Sequence, residues 1–292
     1  MMKRLTAILL GTVLALPAAA DEVDKTIDAS SDGHVHVSNI AGEVTIAGWS
    51  RNQVEVTGEL GRNVEELIVE RDGDRVTIKV KVPKRGGRGI ESDLYIQVPE
   101  GSSIDVGTVS ADISVSEVRG EQQLNSVSGD IDTEADENDV SAEAVSGDIE
   151  VKGQGKMAET RANTVSGDVT LFRVAGIVVG ESVSGDAIVD EGSFDRASLN
   201  TVNGEIVFHA GLRDGGRLQV ETVNGDVDIE LDDRVSGRYD IDTSNGDIRN
   251  CYGPKAERTS KYTPGWELSF QEGSGNARVS ISTLNGDVSI CD

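Results

Sequence analysis

Aromatic side chains and cysteines are scarce in this sequence, and each scarcity limits the structures that the chain can form. Phe, Trp and Tyr make up 3% of the 292 residues, and cysteine occurs twice. The low aromatic content predicts a thin core of aliphatic side chains, because aromatic rings need room that a narrow core lacks. Two cysteines are too few for a structural zinc site, which takes four Cys or His ligands.

Long apolar runs are confined to the first 20 residues. Lys3 and Arg4 make a short basic start, residues 5–16 are mostly apolar, and small residues lead up to Ala20. This order is typical of a secretory signal peptide, so residues 1–20 are predicted to be removed after Ala20 on export. No later segment approaches 18 apolar residues. The mature chain is therefore predicted to be soluble, with no transmembrane segment, and to be periplasmic or secreted.

Basic residues are outnumbered, since the chain has 27 Lys and Arg against 52 Asp and Glu, and a formal net charge of −25. A polyanion repels nucleic acid and anionic lipid, so neither is expected as a partner. It attracts cations, cationic peptides or basic protein faces, although solubility alone is the simplest interpretation. The one basic island, predicted to be a strand end with a Gly-rich loop, contains Lys79, Lys81, Lys84, Arg85 and Arg88.

The most prominent feature that is present is one short phrase that recurs along the chain. It reads T-V-[S/N]-G-D-[V/I]-x-[V/I] and returns at intervals of roughly 20 residues, which is the mark of a repeat architecture. An outlying copy surrounds Gly42, and Ala111 takes the glycine position in TVSADISV. The turn glycines are predicted to be structural, because glycine adopts a positive φ that other residues resist. They are Gly129, Gly147, Gly167, Gly185, Gly204, Gly225, Gly246 and Gly286.

The residues around each turn glycine alternate as in β-strands. A hairpin at Asn224-Gly225 would leave Val223 on a solvent-facing side. The same position is held elsewhere by Val127, Val145, Val165, Val183, Val202 and Leu284. Because a stripe of exposed valines is unusual in a soluble protein, the turn is predicted to be a bend in a coil, with Val223 and Val227 pointing inward. The near-constant period also favours stacked coils, which need nearly equal perimeters.

We therefore predict an all-β fold, a right-handed β-helix-like solenoid of about nine coils over residues 101–292. Residues 21–100 alternate less regularly and are predicted to form an N-terminal β region that starts or caps the column. The segment near 252–282 contains no copy of the phrase. It is predicted to be an inserted excursion that has WELSF as its own strand and covers the last coils.

The two cysteines occupy equivalent places in their repeats, since Cys251 and Cys291 each lie five residues after a turn glycine. If residues 252–282 are an excursion, the two coils stack directly at about 4.8 Å, which a disulfide can span. A disulfide between Cys251 and Cys291 is therefore predicted. It would pin a C-terminal coil that has a neighbour on one side only.

Several segments together resemble the bacterial "putative adhesin" repeat family, a domain of unknown function with a β-helix-like fold. They are the turn phrase, the VHVSNIAGEVTIAGW opening, the VPEGSSIDV link and the GWELSF…GSG…VSISTLNGDVSI ending. The resemblance covers nearly the whole mature chain. It implies an exported envelope protein and carries no catalytic residues to this sequence.

Acidic residues follow the turn glycines and are predicted to form a column. The column contains Asp112, Asp130, Asp148, Asp168, Asp186, Asp226, Asp247 and Asp287, with Glu205 in line. Calcium could bridge stacked carboxylates, but one acid per coil falls short of the six to eight oxygens that calcium takes. The acids are therefore predicted to accept turn N–H groups or to face water. His34 and His36 could share a metal, yet no third ligand is evident nearby, so an exposed strand face is the favoured interpretation.

The function predicted from these features is an exported, non-catalytic envelope scaffold or adhesin-like binding protein, with an envelope protein or glycan as partner. No coil departs from the repeat with a cluster of catalytic residue types, and no catalytic, cofactor or metal residue is assigned. Two alternatives stay open. One is a β-helix enzyme that acts on glycans through paired carboxylates, and the other is an acidic envelope-stress protein that binds cationic peptides or calcium.

Overall fold

The computed structural model describes residues 21–84, 87–232, 235–262 and 264–291, and in these ranges every regular element is a β-strand. The predicted signal peptide lies outside the described residues. The first strands are β1 (Asp21–Asp28), β2 (His34–Ser38), β3 (Ala41–Trp49), β4 (Gln53–Leu60), β5 (Glu66–Asp72), β6 (Arg75–Lys81), β7 (Ser92–Pro99), β8 (Ser103–Gly107) and β9 (Ser110–Ser116).

The repeated phrases lie on the strands that follow. The central strands are β10 (Gln122–Ser128), β11 (Ile131–Ala135), β12 (Val140–Ser146), β13 (Ile149–Gly153), β14 (Met157–Ser166), β15 (Val169–Ser184), β16 (Ala187–Asn203), β17 (Ile206–Asn224) and β18 (Val227–Leu231). The last strands are β19 (Gly237–Asn245), β20 (Ile248–Asn250), β21 (Glu257–Arg258), β22 (Trp266–Gln271), β23 (Ala277–Asn285) and β24 (Val288–Cys291).

The strands stack as a column in which each level has one strand on a first sheet, a turn, and one strand on a second sheet. The parallel order of the first sheet is β6, β2, β8, β10, β12, β14, β15, β16, β17, β23 and β19. The second sheet has β7, β3, β9, β11, β13, β15, β16, β17, β18, β24 and β20. The long strands β15, β16 and β17 run from the second sheet of one level into the first sheet of the next.

The predicted β-solenoid is thereby confirmed. We number the levels 1 to 11 in the order above, from β6 and β7 to β19 and β20. The column is taller than the predicted nine coils or so, because residues 34–49 and 75–99 also form levels. Strands from both sides of residue 100 share both sheets, and the division into an N-terminal region and a solenoid stays a prediction.

The order of the levels departs from chain order at both ends of the column. At one end, the first level-forming strands, β2 and β3, lie between β6–β7 and β8–β9. At the other end, the last strands, β23 and β24, lie between β17–β18 and β19–β20. The expectation that the C-terminal coil has a neighbour on one side only is therefore wrong, since level 10 is paired on both sides.

Antiparallel strands cover the two ends. β5 pairs with β6, while β4 pairs with β7 and β1 with β4. At the opposite end β22 pairs with β19, and the Tyr239 ring of β19 stacks on the Phe270 ring of β22 with centroids 4.5 Å apart. Covering strands of this kind occupy an edge that could otherwise template another copy.

The core consists of aliphatic columns, as the low aromatic content predicted. On the second sheet Ile131, Ile149 and Val169 stack in register, and each is at most 1% exposed. Phe194 and Phe208 are fully buried with ring centroids 5.7 Å apart. Phe194 lies where the pairing of β16 shifts register, whereas Phe208 lies in a regular part of the second sheet.

The described residues of 252–276 lie outside the parallel levels, whereas residues 277–282, which the prediction also placed in the excursion, belong to β23. The cysteines are joined. After β20 the chain makes the antiparallel strands β21 and β22 before it re-enters the column at β23. Thr243 of β19 then pairs directly with Thr283 of β23. The disulfide between Cys251 and Cys291 is confirmed, with Cα atoms 4.9 Å apart, and it connects levels 10 and 11.

Candidate binding face

Each position of the repeated phrase has its own structural task, beginning with the buried threonine. The Thr201 hydroxyl donates a hydrogen bond to the Gly185 carbonyl of the preceding level at 3.0 Å. Thr164 bonds Gly147 in the same way. A hydroxyl inside an aliphatic core needs such a partner. At these two levels the bond satisfies the threonine and ties its turn to the turn of the previous level.

The turn glycines lie where neighbouring levels approach each other too closely for a side chain. A Cβ on Gly225 would lie 1.8 Å from the Gly204 carbonyl oxygen, and one on Gly147 would lie 2.3 Å from that of Gly129. The predicted reason, a positive φ, applies to Gly147, Gly167 and Gly185 but not to Gly225. The close approach of neighbouring levels is thus the reason, shared by all these turns, why glycine is required.

The acid column, formed by the acidic residues after the turn glycines, is bonded along its length by the backbone. The Asp130 N–H donates to Asp112 Oδ1 at 3.0 Å, and the Asp287 N–H donates to Asp226 Oδ1 at 2.8 Å. The same bond recurs at Asp148, Asp168, Asp186, Glu205 and Asp247. The acids therefore satisfy turn N–H groups, as predicted, although the N–H belongs to the neighbouring level. Within the described part of the chain, no group of three His, Cys, Asp or Glu residues is arranged to hold a metal ion.

Glu205 interrupts this series. In the described ranges the Asp226 N–H makes no hydrogen bond to the Glu205 carboxylate, although an aspartate accepts the equivalent bond at the neighbouring levels. The pKa of Glu205 is raised, first by burial and then by the negative charges of nearby Asp186 and Asp226. A carboxylate that accepts no hydrogen bond from a backbone N–H has little to stabilise its charged form against burial and nearby negative charge.

We expect Glu205→Asp to stabilise the protein. The shorter side chain has the geometry with which the other acids accept the N–H of the next level, so the variant should gain the bond from Asp226. A hydrogen bond of this kind contributes about 0.5–1.5 kcal/mol to the free energy of unfolding. Urea melts at pH 7 measure the change, and an unchanged or lower urea midpoint would contradict the explanation.

The pH dependence of Glu205→Gln provides a separate control. Because the folded-state pKa of Glu205 is raised, the stability linked to this carboxyl is fully present below its unfolded pKa. It is lost as the pH rises through the folded value. Glu205→Gln should therefore be more stable than the wild type at pH 7, and the difference should shrink towards pH 4. A difference that does not change with pH would show that charge is not its cause.

At levels 8 to 11 the asparagine before the turn glycine forms a second bonded column. Asn224 donates its side-chain N–H to Asn203 Oδ1 at 2.8 Å, and Asn285 donates to Asn224 in the same way. Asn245 continues the series to level 11. Stacked amides are a known stabilising feature of parallel, in-register strands. The insertion of β23 between β17 and β19 keeps this amide ladder unbroken.

The valine of the phrase faces solvent. We define the valine ladder as Val109, Val127, Val145, Val165, Val183, Val202, Val223 and Leu284, which are 39% to 49% exposed. The prediction that Val223 points inward is wrong. Val220 and Thr222 are buried, so strand alternation turns Val223 outward, and the bend leaves Asn224 exposed as well. Seven steps of about 4.8 Å make the ladder about 34 Å long.

A column of alternating amides and carboxylates runs beside the ladder, two residues earlier on each strand. We call this the Asn/Glu column, and it contains Asn125, Glu143, Asn163, Glu181, Asn200 and Glu221. The alternation separates like charges that would otherwise stack at about 4.8 Å. Asn200 donates its side-chain N–H to Glu181 at 3.2 Å. Between levels 5 and 8 this column and the ladder line a groove of about 480 Å³.

The binding face is defined as the valine ladder together with the Asn/Glu column on one side and the acid column on the other. No Lys or Arg occurs in the segments that cross this face, from 125–130 to 242–247. An apolar stripe between two acidic borders is not needed to close the core, which already lies beneath it. Contiguous exposed apolar surface with a polar rim is typical of interaction sites.

An acidic cleft away from the binding face has a different character. It measures about 400 Å³ and is lined by Trp49, Arg119, Glu134 and Asp136 among others. Two of its carboxylates already have partners, because Asp136 pairs with Arg119 and Lys156, and Glu134 accepts the Glu117 N–H. These contacts hold successive levels together, which is a structural role.

The histidines singled out in the sequence lie on β2. Nδ1 of His36 is 2.9 Å from the Asp105 carboxylate on the neighbouring strand β8. The pair therefore bridges levels 2 and 3.

The comparisons with known proteins place the chain in a family. Residues 33–291 match the family described as Toastrack DUF4097, and the chain belongs to that family. The resemblance to putative adhesins seen in the sequence is thereby confirmed. No curated protein matches the chain.

Several solved structures are similar to this chain at low sequence identity. A putative lipid binding protein from Parabacteroides distasonis is 13% identical, with 93% of this chain and 97% of that chain covered and a TM-score of 0.50. A putative adhesin from Bacteroides fragilis is 9% identical, with 93% and 97% covered and a TM-score of 0.42. One from Parabacteroides merdae is 10% identical, with 93% and 96% covered and a TM-score of 0.38. None of these three structures is named as an enzyme.

Proposed function

We propose that this protein is an exported, non-catalytic binding protein of the bacterial envelope, and that the binding face contacts its partner. The observation that carries the proposal is the valine ladder, because eight apolar side chains stand in line on the surface while the core beneath them is complete. A stripe with no role in packing gains a use when a partner covers it. The partner is an envelope protein or glycan.

Export to the periplasm or the exterior fits one further feature. The disulfide between Cys251 and Cys291 suits an oxidising compartment. In the part of the chain that is described, no helix is long and apolar enough to cross a membrane. The names of the similar proteins, putative adhesins and a putative lipid binding protein, support a role in contact rather than in catalysis.

The proposal predicts that partner capture depends on the ladder. We expect the triple variant Val165→Ser, Val183→Ser and Val202→Ser to lose most of the partners that the wild type captures from an extract of its own cell envelope. These side chains lie at the centre of the ladder and point outward, so the fold should survive their truncation. Affinity capture followed by mass spectrometry measures the loss, and thermal melts verify the fold.

A control variant removes a larger exposed apolar surface elsewhere. Tyr95, Met157 and Tyr262 are 44%, 43% and 90% exposed and lie away from the ladder. The triple variant Tyr95→Ser, Met157→Ser and Tyr262→Ser should capture the same partners as the wild type. Equal capture by the ladder variant and the wild type would overturn the proposal.

A further inference from the structure

The binding face is complementary in charge and polarity to a cationic amphipathic segment. This inference rests on the proposed function. Its centre is apolar, since the valine ladder is 39% to 49% exposed along its length. From level 4 to level 9 its borders carry only negative charge. Glu143, Glu181 and Glu221 lie on one side, and Asp130, Asp148, Asp168, Asp186, Glu205 and Asp226 lie on the other.

The acidic borders keep oxygen atoms free for a ligand. In the acid column each aspartate accepts the neighbouring N–H through Oδ1, as Asp130 does from Asp148 at 2.9 Å. Within the described residues no hydrogen bond to its second carboxylate oxygen is formed, and these aspartates are exposed except for the half-buried Asp186. The ladder of backbone bonds holds the carboxylates in line, so a cationic ligand meets a pre-organised row of charges.

The dimensions suit an α-helix that lies along the column. The ladder is about 34 Å long, which matches about 22 helical residues at 1.5 Å per residue. The Asn/Glu column is about 7 Å to one side of the ladder, because it is two residues away along the strand. Lys and Arg side chains that flank the apolar stripe of a helix about 10–12 Å wide can reach borders at that distance.

The repeat distances of the two partners also agree. A carboxylate recurs in the Asn/Glu column every second level, which is about 9.6 Å. Two turns of an α-helix advance about 10.8 Å. A lysine every seven residues can therefore follow successive glutamates, and flexible lysine stems absorb the small mismatch. The alternation of Asn and Glu from level to level therefore matches the spacing of basic residues along one face of an α-helix.

The geometry points to a cationic amphipathic helix as the ligand class of the binding face, with its apolar stripe on the valine ladder and its basic residues against the two acidic borders. The probe is a 22-residue peptide of Leu and Lys, with Leu at helix positions i, i+3, i+4 and i+7. Isothermal titration at about 50 mM NaCl measures its affinity for the full mature protein. A peptide of the same composition in scrambled order is the ligand control.

Two variants separate the apolar and the charged contributions. Val165→Ser with Val183→Ser and Val202→Ser should weaken peptide binding at least about tenfold, the equivalent of 1.4 kcal/mol. Glu143→Gln with Glu181→Gln and Glu221→Gln should weaken it several-fold. That charge-dependent part should fade as NaCl is raised to about 300 mM, because salt screens charges. The matched control removes three exposed acids in or next to the N-terminal cover strands, Glu22→Gln, Glu65→Gln and Glu70→Gln, and should bind as the wild type does.

The outcomes are distinct. Equal binding of the scrambled peptide, or equal weakening by the two acid-to-amide variants, would reveal attraction to a general polyanion and overturn the inference. No binding at about 100 μM, with envelope capture still dependent on the ladder, would overturn the ligand class and leave the proposed function intact. A wild-type dimer that the valine variant dissociates in sedimentation would make a second copy the occupant, and this too would overturn the inference.

Discussion

Replacing Gly225 by valine is expected to destabilise the protein by roughly 3 kcal/mol, the upper range for an overpacked core position. A Cβ there would lie 1.8 Å from the Gly204 carbonyl oxygen. That oxygen belongs to the backbone of a level held by ladders on both sides, so it cannot move aside as a flexible side chain would. The clash must therefore separate two levels, and the loss should appear as a lower urea midpoint.

Two comparison variants show whether close approach is the cause. Gly107 is also in a strand, but nothing lies within 4 Å of a Cβ built on it, so Gly107→Val should keep or slightly raise stability. Asp226→Ala removes only the acceptor of the Asp287 N–H and should cost about 1 kcal/mol. If Gly225→Val and Gly107→Val unfold at the same urea concentration, the contact between levels does not explain the glycine.

Most of the fold prediction rested on the spacing of the repeats and on the alternation of inward and outward residues along each strand. Strands around each turn glycine follow from the alternation of residues such as Ile149 and Val151, and stacking follows from the constant spacing of the phrase. The disulfide followed from the same arithmetic, because equivalent positions of adjacent coils lie one strand spacing apart. These features depend on local pattern, which a single sequence displays.

The outward orientation of Val223 was not predicted, because the general rule that exposed valines are rare was given more weight than the alternation of residues along the strand. Val220 and Thr222 point inward, so alternation alone places Val223 outside. The prediction instead assumed that a repeated valine must be buried. The alternation of buried and exposed residues, followed from Val220 through Thr222, would have revealed both the valine ladder and the candidate binding face. The repetition of valine was therefore a sign of a surface feature as regular as the core.

Nothing in the local sequence indicates that the order of the levels departs from the order along the chain. The phrases TSNGD around Gly246 and TLNGD around Gly286 are nearly interchangeable, and either could stack on Gly225. In the observed order Leu284 extends the valine ladder next to Val223, and Ser244 takes the outermost place. The choice depends on distant packing and on the cover strand β22, which sequence periodicity does not report.

Removing the disulfide is expected to lower the free energy of unfolding by about 4 kcal/mol in the double variant Cys251→Ser and Cys291→Ser. The bond closes a loop across a sequence separation of 40 residues, and in the chain-entropy account a loop of that size restricts the unfolded chain by about this amount. The loop contains the whole excursion and the inserted level 10. Urea melts of the oxidised wild type and the double variant measure the difference.

The effect should be local as well as global. Level 10 is paired to level 9 through β17 and β18. Among the described strands, level 11 is paired to the column only through level 10 and is otherwise covered by β22. Amide exchange in the double variant should therefore rise first in β19 and β20, and exchange in β10 to β13 should stay unchanged. The Cys251 N–H, which donates to the Ile290 carbonyl at 3.0 Å, lies at the predicted opening point. Uniform exchange along the column, or an unchanged urea midpoint, would show that the bond does not hold the last level in place.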